Sequence, residues 1–253
     1  MITLPRSKGL PRPRRSVLAV VLGLLLATSL LSACAANSSA ASTNHRNTTQ
    51  QAARRLTYVA IGASDAFGVG TGDPKVDNWP TVLTHDLGSS VHLVNLGIPG
   101  ITVAGARNEE LPVAVGSDPD IVTVWLAVND VAARVPLDTY RQQLNALLGS
   151  LKQKTHARIF VGNLPDLTLL PFFASANQAL LSETIQTWNV AIGQVVAANN
   201  ATLIDLFSQW HELALHPEYL APDGLHPSTV GAQRLAAVFA AVIGPTTHEA
   251  GRP

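Results

Sequence analysis

Residues 121–126 read Ile-Val-Thr-Val-Trp-Leu, and this nearly unbroken apolar run constrains the fold more than any other segment of the 253-residue chain. A strand with one solvated face alternates polar and apolar residues, and this run does not. A continuous run of this length is typical of a strand that helices cover on both faces of a parallel sheet. The segment therefore favours an α/β fold with a parallel sheet at its centre.

Four more short segments have the composition of buried strands. They lie at residues 56–61, 91–95, 157–162 and 202–205. The sequence between them predicts helices at residues 79–87, 102–113, 137–151, 181–195 and 229–243, with Ser228 as the N-cap of the last helix. Five strands that alternate with helices predict a three-layer α/β/α sandwich around a five-stranded parallel sheet.

The composition excludes a disordered chain, because 47% of the residues are apolar and only 13% are charged. The formal charge is zero, but five of the basic residues lie within the first 15 positions. Without residues 1–33, 12 basic and 17 acidic side chains remain, which gives a formal charge of −5. A mildly acidic protein has no general electrostatic attraction for nucleic acid, and we expect no nucleic-acid partner.

Residues 1–33 have the pattern of a secretory signal peptide. A basic segment precedes an apolar run at 17–31, whose 15 residues are fewer than the ~20 that a transmembrane helix needs. The run ends in Leu-Ser-Ala-Cys34, which resembles a bacterial lipobox and implies cleavage before Cys34 and lipidation of its sulfur. The alternative is an ordinary signal-peptidase site. Cys34 is the only cysteine, so it can form no intramolecular disulfide.

The chain therefore divides into a lipoprotein signal peptide at 1–33, a polar tether at 34–55, a domain at 56–245 and a tail at 246–253. We expect an exported bacterial lipoprotein, anchored to the membrane by lipid on its extracytoplasmic side. Arg14-Arg15 is compatible with twin-arginine export and equally with an ordinary basic segment. We expect a monomer.

Three polar or flexible sites follow the first three predicted strands, at the edge where open parallel sheets bind ligands. Ser64 lies at a strand-to-helix turn, where it is either a nucleophile or a turn former. Gly100 belongs to a Gly-Ile-Pro-Gly turn that allows close approach of the backbone to a ligand. Asn129 is either a side-chain donor to the same point or a helix cap.

A fourth site precedes the last predicted helix, in the segment Asp-Gly-Leu-His-Pro-Ser at 223–228. A catalytic histidine needs an acid that fixes its tautomer and stabilises its protonated form. Asp223, three residues before His226, is suited to that role. The alternative is a surface loop with an uninvolved histidine. The other seven histidines show no ligand-like spacing, and we infer no metal site.

Together these residues resemble the motifs of the SGNH branch of the GDSL hydrolases, over essentially the whole predicted domain. Ser64 matches the serine of the first motif block, Gly100 the glycine of the second and Asn129 the asparagine of the third. Asp223 and His226 match the Asp-x-x-His of the fifth block. The resemblance implies a flavodoxin-like α/β/α fold and ester hydrolysis by a Ser-His-Asp triad. It also implies an oxyanion hole of Ser64, Gly100 and Asn129, and no metal or cofactor.

The sequence departs from the family pattern in two motifs. Gly-Asp-Ser-Leu reads Gly-Ala-Ser64-Asp65 here, and Gly-x-Asn-Asp reads Ala-Val-Asn129-Asp. We expect Asp65 to cap the helix that follows the serine. In the second motif, Gly97 is the alternative to Gly100. The α/β-hydrolase elbow Gly-x-Ser-x-Gly fits less well, because Ala66 occupies its last position.

An apolar loop after the fourth predicted strand indicates which acyl groups the site would bind. Four apolar side chains of this loop either line an acyl site or pack in the hydrophobic core: Leu169, Leu170, Phe172 and Phe173. An apolar wall favours acyl esters of short to medium chain, including lysophospholipids, so the expected partner is a small-molecule or lipid ester. The alternatives are a carbohydrate O-deacetylase and an inactive ligand-binding lipoprotein. Retention of Ser64, Asn129 and His226 favours the enzyme over the binding protein.

Overall fold

The computed structural model describes residues 55–209 and 211–244. The predicted signal peptide 1–33, Cys34, nearly all of the tether 34–55 and the tail 246–253 lie outside the described residues, so those predictions stay predictions. Within the described ranges, no helix is both long enough and apolar enough to cross a membrane.

Five parallel strands form one sheet, as the sequence predicts. The strands are β1 (Leu56–Gly62), β2 (Val91–Asn95), β3 (Ile121–Trp125), β4 (Arg158–Gly162) and β5 (Thr202–Ile204). Their order across the sheet is β2-β1-β3-β4-β5. All five residues of the central strand β3 are buried, which confirms the two-sided cover that its apolar run predicts. Because all pairings are parallel, the carboxyl ends of the strands lie along one edge of the sheet.

Helices cover both faces of the sheet in the described part of the chain. They are α1 (Ser64–Phe67), α2 (Trp79–Leu87), α3 (Val103–Gly116), α4 (Ala127–Ala132), α5 (Leu137–Lys154), α6 (Gln178–Ala198), α7 (Leu206–Gln209) and α8 (Thr229–Ile243). α2 packs against α8, whereas α3 packs against α5 and α5 against α6. This is the predicted three-layer α/β/α sandwich, and the strand order is that of flavodoxin-like folds.

Aromatic contacts join two of these helix pairs, α2 with α8 and α5 with α6. Trp79 of α2 stacks on Phe239 of α8, with ring centroids 4.3 Å apart and planes inclined by 29°. Tyr140 of α5 lies 4.6 Å from Trp188 of α6. Such pairs contribute about 0.5–1.5 kcal/mol beyond the burial of their area. The caps also follow the sequence, because the Ser228 hydroxyl accepts a hydrogen bond from Gly231 N at 3.1 Å.

The structure differs from the prediction at short elements and at helix ends. The helix predicted at 102–113 spans Val103–Gly116, with Thr102 as its N-cap. The helix predicted at 137–151 continues to Lys154. The sequence does not predict α1, α4 or α7, because helices of four to six residues are too short to show an apolar periodicity.

Candidate active site

Ser64 is the first residue of α1, two positions after the end of β1. The turn between strand and helix is tight, because a Cβ on Gly62 would lie 2.6 Å from the Cβ of Ala66. The Ser64 carbonyl accepts hydrogen bonds from Gly68 N at 3.0 Å and from Val69 N at 2.8 Å. These bonds fix the backbone of Ser64 at the carboxyl edge of the sheet.

His226 lies between Ser64 and Asp223. Its Nε2 is 2.8 Å from Ser64 Oγ, and its Nδ1 is 2.6 Å from Asp223 Oδ2. The His226 side chain is 18% exposed and the Asp223 side chain 45%. Both distances are those of a nucleophile, a base and the acid that orients the base. The structure thus brings together three residues that the sequence analysis assigned to one triad.

Asp223 is held by its own loop. Its Oδ1 accepts hydrogen bonds from Leu225 N at 2.9 Å and from His226 N at 3.0 Å. Partial burial acts to raise the pKa of Asp223, but the hydrogen bonds from the His226 ring and from these two backbone groups outweigh it and lower the pKa below 3.8. The carboxyl is therefore ionised at neutral pH. Gly224, at φ +68°, allows the tight turn of this loop.

Two of the residues predicted to form an oxyanion hole, Ser64 and Gly100, have backbone N–H groups available. Ser64 N–H stands at the start of α1, where a helix has no internal acceptor for it. Gly100 has φ +80° and follows Pro99, in a turn that Ile101 N closes by donating to Ile98 O at 3.2 Å. This is the sequence pattern of a type II turn. Among the described residues, neither the Ser64 nor the Gly100 N–H has an acceptor.

Asn129 is part of α4 and lines the same cavity as Ser64 and His226. Its Nδ2 donates a hydrogen bond to Ile101 O at 3.0 Å. An amide nitrogen carries two hydrogens, so a second one is left for a ligand. The bond to Ile101 also ties Asn129 to the turn that carries Gly100.

Asp130 ties the same two segments together. Its Oδ2 accepts a hydrogen bond from Val103 N, the first residue of α3, at 3.0 Å. Burial raises the pKa of Asp130 to about 6, although the hydrogen bonds from Val103 N and from its own backbone act in the opposite direction. Asp130 and Asn129 thus hold the start of α3 and the turn before it.

Gly97 is the alternative to Gly100, and the geometry separates the two. Gly97 N donates to Asn95 Oδ1 at 3.0 Å, so its N–H is already engaged. A Cβ on Gly97 would lie 2.5 Å from Phe67 N, which shows that the glycine is needed for packing against α1. A Cβ on Gly100 would meet nothing within 4 Å. The geometry therefore favours Gly100 as the donor.

The expectation that Asp65 caps α1 is wrong. The N-cap residue is Ala63, and Asp65 Oδ2 instead accepts a hydrogen bond from Trp79 Nε1 at 3.0 Å. Asp65 is partly buried and lines the cavity. Burial raises the pKa of Asp65 to about 6, while the Trp79 indole, backbone N–H groups and the charge of His226 act to lower it. The local sequence gives no sign of this bond, because its donor lies 14 residues away.

Glu110 is a second buried carboxyl that the sequence analysis missed. It is 1% exposed, and its Oε1 accepts a hydrogen bond from Gly62 N at 3.4 Å. Its Oε2 has no hydrogen-bond partner among the described residues. Burial raises the pKa of Glu110 to about 8, with the nearby Asp65 and Glu109 acting in the same direction. Glu110 is therefore mostly uncharged at pH 7 behind the turn that carries Ser64.

The cavity beside Ser64 is small and mainly apolar. Its volume is about 60 Å³. Its apolar walls include Trp125, Leu126, Val128, Leu170, Leu220 and Leu225. No cluster of three or more His, Cys, Asp or Glu side chains among the described residues has the arrangement of a metal site.

Of the four residues predicted to line an acyl site, Leu170 alone lines this cavity. Leu169 packs against the hydrophobic core, and Phe172 is 56% exposed. Phe173 lines a separate groove beside Leu180. The loop forms two short 3₁₀ turns, Leu167–Leu169 and Pro171–Phe173, and consecutive residues of such turns point in different directions.

Known proteins of similar sequence include a hydrolase family and an esterase. A family model described as the GDSL-like lipase/acylhydrolase family matches residues 27–234. An acetylxylan esterase of Geobacillus stearothermophilus is 26% identical over 167 residues, which are 61% of this chain and 73% of that protein.

Solved structures show the same fold. The crystal structure of the acetylxylan esterase Axe2 from Geobacillus stearothermophilus has a TM-score of 0.61 at 22% identity, and the match covers 75% of this chain and 94% of that one. The lipase/acylhydrolase from Enterococcus faecalis has a TM-score of 0.59 at 21% identity, covering 76% and 99%.

Proposed function

The chain belongs to the GDSL-like lipase/acylhydrolase family, and from this premise we propose that Ser64, His226 and Asp223 hydrolyse a carboxylic ester through an acyl-enzyme. The observation that carries the proposal is the 2.8 Å contact between His226 Nε2 and Ser64 Oγ. A nucleophile needs its base within hydrogen-bond reach, and this pair meets that condition without substrate.

In the acylation step, His226 Nε2 takes the proton of Ser64 Oγ while the oxygen attacks the ester carbonyl. The negative oxygen that develops is held by the N–H groups of Ser64 and Gly100 and by the Asn129 amide. Removal of one such donor typically costs about 10²–10³ in rate. His226 then gives its proton to the leaving alcohol, and the C–O bond of the ester breaks.

In the deacylation step, a water molecule attacks the acyl-enzyme. His226 takes one proton of the water and returns it to Ser64 Oγ as the acid leaves. Asp223 stays ionised throughout, because its pKa is low, and it holds the imidazole in the orientation that both steps require.

The size of the cavity supports a short acyl group. Its volume of about 60 Å³ is small for a ligand pocket, which favours a short acyl group over a long chain. The apolar walls suit a methyl or ethyl group and not a charged one. We place acetyl and propionyl esters first within the short-to-medium range that the sequence favours, ahead of lysophospholipids.

Deacetylation of a carbohydrate is the second candidate. It is supported by the relative named acetylxylan esterase, and the small acyl cavity is compatible with it. Measuring kcat/KM on acetylated xylan and on a simple acetate ester distinguishes the two candidate functions. A preference of at least tenfold in kcat/KM for the polysaccharide would favour the carbohydrate substrate.

Attachment to the membrane is a separate proposal. It is supported by the lipobox-like segment that ends at Cys34 and by the basic and apolar segments before it. Expression of the full chain with a labelled fatty acid tests it. We expect label on the wild type and none on Cys34→Ala, which should be released from the membrane fraction. Equal membrane attachment of the two proteins would contradict the proposal.

Hydrolysis of p-nitrophenyl esters from acetate to laurate tests the activity. The protein lacking residues 1–34 and its Ser64→Ala variant are compared, with circular dichroism to show that both are folded. We expect activity that falls with acyl length and is lost in Ser64→Ala. A folded wild type that hydrolyses no ester would contradict the proposal and favour the ligand-binding alternative.

A further inference from the structure

A groove of about 490 Å³ lies between α4 and the first half of α6, and neither the triad nor the oxyanion hole uses it. Ligand pockets of proteins typically have volumes of about 300–1,000 Å³, so this groove is large enough for a small molecule. Its apolar walls include Val131, Val135, Phe173, Leu180 and Trp188. Leu180 is exposed, which leaves apolar surface for a ligand to cover. We call this feature the α4–α6 groove.

The α4–α6 groove is next to the cavity beside Ser64. Val128 lines that cavity and Ala132 lines the groove, and both residues belong to α4. Residues four positions apart lie on the same face of a helix, so one face of α4 passes from the cavity to the groove in about one turn. The loop after β4 also borders both, because Leu170 lines the cavity and Phe173 the groove. A long substrate bound at Ser64 can therefore extend along α4 into the groove.

Arg134 supplies the charge of the groove. Among the described residues that line the groove, no other side chain is charged. Arg134 is exposed, and within the described ranges its side chain has no hydrogen-bond acceptor and no ion-pair partner. A guanidinium binds the oxygens of a carboxylate or a phosphate in pairs. The groove thus offers an anion a cation that no other group occupies.

The backbone at Arg134 has a conformation that favours glycine. Its φ is +56°, in the left-handed region. Arg134 N donates to Val131 O at 3.0 Å and Val135 N donates to Asp130 O at 2.9 Å, which are the two bonds that end a helix with a left-handed residue. Glycine is the usual residue there, and any residue with a side chain costs free energy of folding. Such a position is a candidate for a functional role.

The uncharged polar side chains of the groove already have partners. Asn177 Oδ1 accepts a hydrogen bond from Leu180 N at 3.1 Å, and Thr184 Oγ1 donates one to Leu180 O at 2.8 Å. A sugar carries many hydroxyl groups, and each one that is buried without a hydrogen bond weakens binding. The groove therefore suits an apolar chain with one anionic group better than it suits a sugar.

We propose that the α4–α6 groove binds the alcohol part of the substrate, and that this alcohol is an apolar chain with a carboxylate or phosphate that pairs with Arg134. The short acyl group lies in the cavity beside Ser64, so the two parts of one ester occupy two neighbouring sites. The ester C–O bond breaks as described above, and the alcohol leaves with the proton from His226. This inference rests on the proposed function and names the substrate class of the same site.

Substrates with an acetyl ester at one end of an alkyl chain and an anion at the other test the role of the charge. The ω-acetoxyalkanoates, the ω-acetoxyalkyl phosphates and the neutral ω-acetoxyalkanamides are compared by kcat/KM, with chains of four, eight and twelve carbons. For the wild type we expect an anionic substrate to exceed its amide about two- to fivefold at one or more chain lengths, as is typical of an exposed ion pair. The preference should fall in 0.5 M NaCl. The anion with the larger preference identifies the group that Arg134 binds.

Arg134→Gln should abolish this preference, because it removes the charge and keeps a side chain at the left-handed position. Arg141→Gln is the matched control and should keep the preference. Arg141 belongs to α5, does not line the groove and pairs with Asp138. The proposal is overturned if the wild type shows no preference at any chain length, or if Arg134→Gln retains it.

Leu180→Ala tests the apolar wall, with octyl acetate and ethyl acetate as substrates. The ratio of kcat/KM for octyl over ethyl acetate should fall about two- to fivefold, because the octyl chain loses apolar contact area. Val190→Ala is the matched control and should keep the ratio, since Val190 is on the same helix, is 62% exposed against 61% for Leu180, and lies outside the groove. An equal ratio in the two variants would place the alcohol outside the groove.

Hydrolysis of p-nitrophenyl acetate separates this inference from the proposed function. If the wild type hydrolyses it, Ser64→Ala does not, and Arg134→Gln keeps the preference for anions, only the assignment of the groove is refuted. If the folded wild type hydrolyses neither this ester nor any of the acetoxy substrates, the proposed function is refuted, and this inference with it.

Discussion

His226 Nε2 lies 2.8 Å from Ser64 Oγ, although 162 residues separate the two in the chain. The sheet explains the contact. β1 delivers Ser64 to the carboxyl edge of the sheet, and α8 packs against α2 with the loop of His226 directly before it. The contact therefore depends on packing across the whole domain, and it exists only in the folded chain.

Asn129→Ala should lower kcat about 10²–10³-fold, because one of three donors to the oxyanion is lost. KM should change only a few-fold, since a donor of this kind acts mainly in the transition state. Steady-state kinetics on p-nitrophenyl acetate checks this. The variant also loses the bond to Ile101 O, so its melting temperature must be measured. A folded variant with a kcat within threefold of the wild type would refute the role of Asn129.

Gly97→Ala should destabilise the protein, because the new Cβ would lie 2.5 Å from Phe67 N, a backbone atom that cannot move alone. Overpacking costs about 1–3 kcal/mol, and in a domain of this size each kcal/mol lowers the melting temperature by about 2–4 °C. Gly193→Ala is the matched control, since its Cβ would meet nothing within 4 Å inside α6. It should raise the melting temperature slightly. If the two variants have equal melting temperatures, Gly97 packs against α1 less tightly than the 2.5 Å distance indicates.

Glu110→Gln should stabilise the protein at pH 8 more than at pH 5. The pKa of Glu110 in the folded protein is about 8, above its ordinary 4.5, so between these values the folded state keeps a proton that the unfolded state has lost. The wild type therefore loses stability as pH rises through this window, on the order of a few kcal/mol. Glutamine has no such proton, and the difference in melting temperature between variant and wild type should grow with pH.

The control for this experiment is Glu109→Gln, which changes the exposed neighbour on the same helix. Its melting temperature should differ from the wild type by a small amount at pH 5 and at pH 8. If Glu110→Gln shows the same small difference at both pH values, Glu110 does not keep its proton in the folded state.

Leu170→Ala should shift the substrate preference toward longer acyl groups. Leu170 lines the small cavity beside Ser64, and its truncation enlarges that cavity. We expect the ratio of kcat/KM for butyrate over acetate to rise about tenfold or more, since each accommodated methylene contributes about 1–3 kcal/mol of discrimination. Leu169→Ala is the control, because Leu169 packs against the core instead. An equal ratio in both variants would place the acyl group elsewhere.

The sequence predicted the sheet well because its signals are local. The apolar run at 121–126 indicates a strand buried on both faces, and Ile121–Trp125 is such a strand. The motif residues Ser64 and His226 were found for a related reason, since each follows or precedes an element that its own sequence defines. Their contact itself has no local signal, because it depends on the packing of α8 against α2.

The features that the sequence analysis missed depend on contacts across the fold. Asp65 looked like a helix cap because its partner Trp79 belongs to another helix. Glu110 lies within the helix predicted at 102–113, and only the packing of α3 behind Gly62 buries it. Burial of a charged side chain has no local signal, so its raised pKa could not be anticipated.

Labelling with a fluorophosphonate tests the central claim most directly, because this reagent reacts with a serine only if the serine is activated. The site of the label is read by mass spectrometry of peptides from the protein lacking residues 1–34. We expect one label per chain on Ser64, none in Ser64→Ala, and labelling at least a hundredfold slower in His226→Ala. An unlabelled Ser64 in folded wild-type protein, or a label on another serine, would contradict the triad.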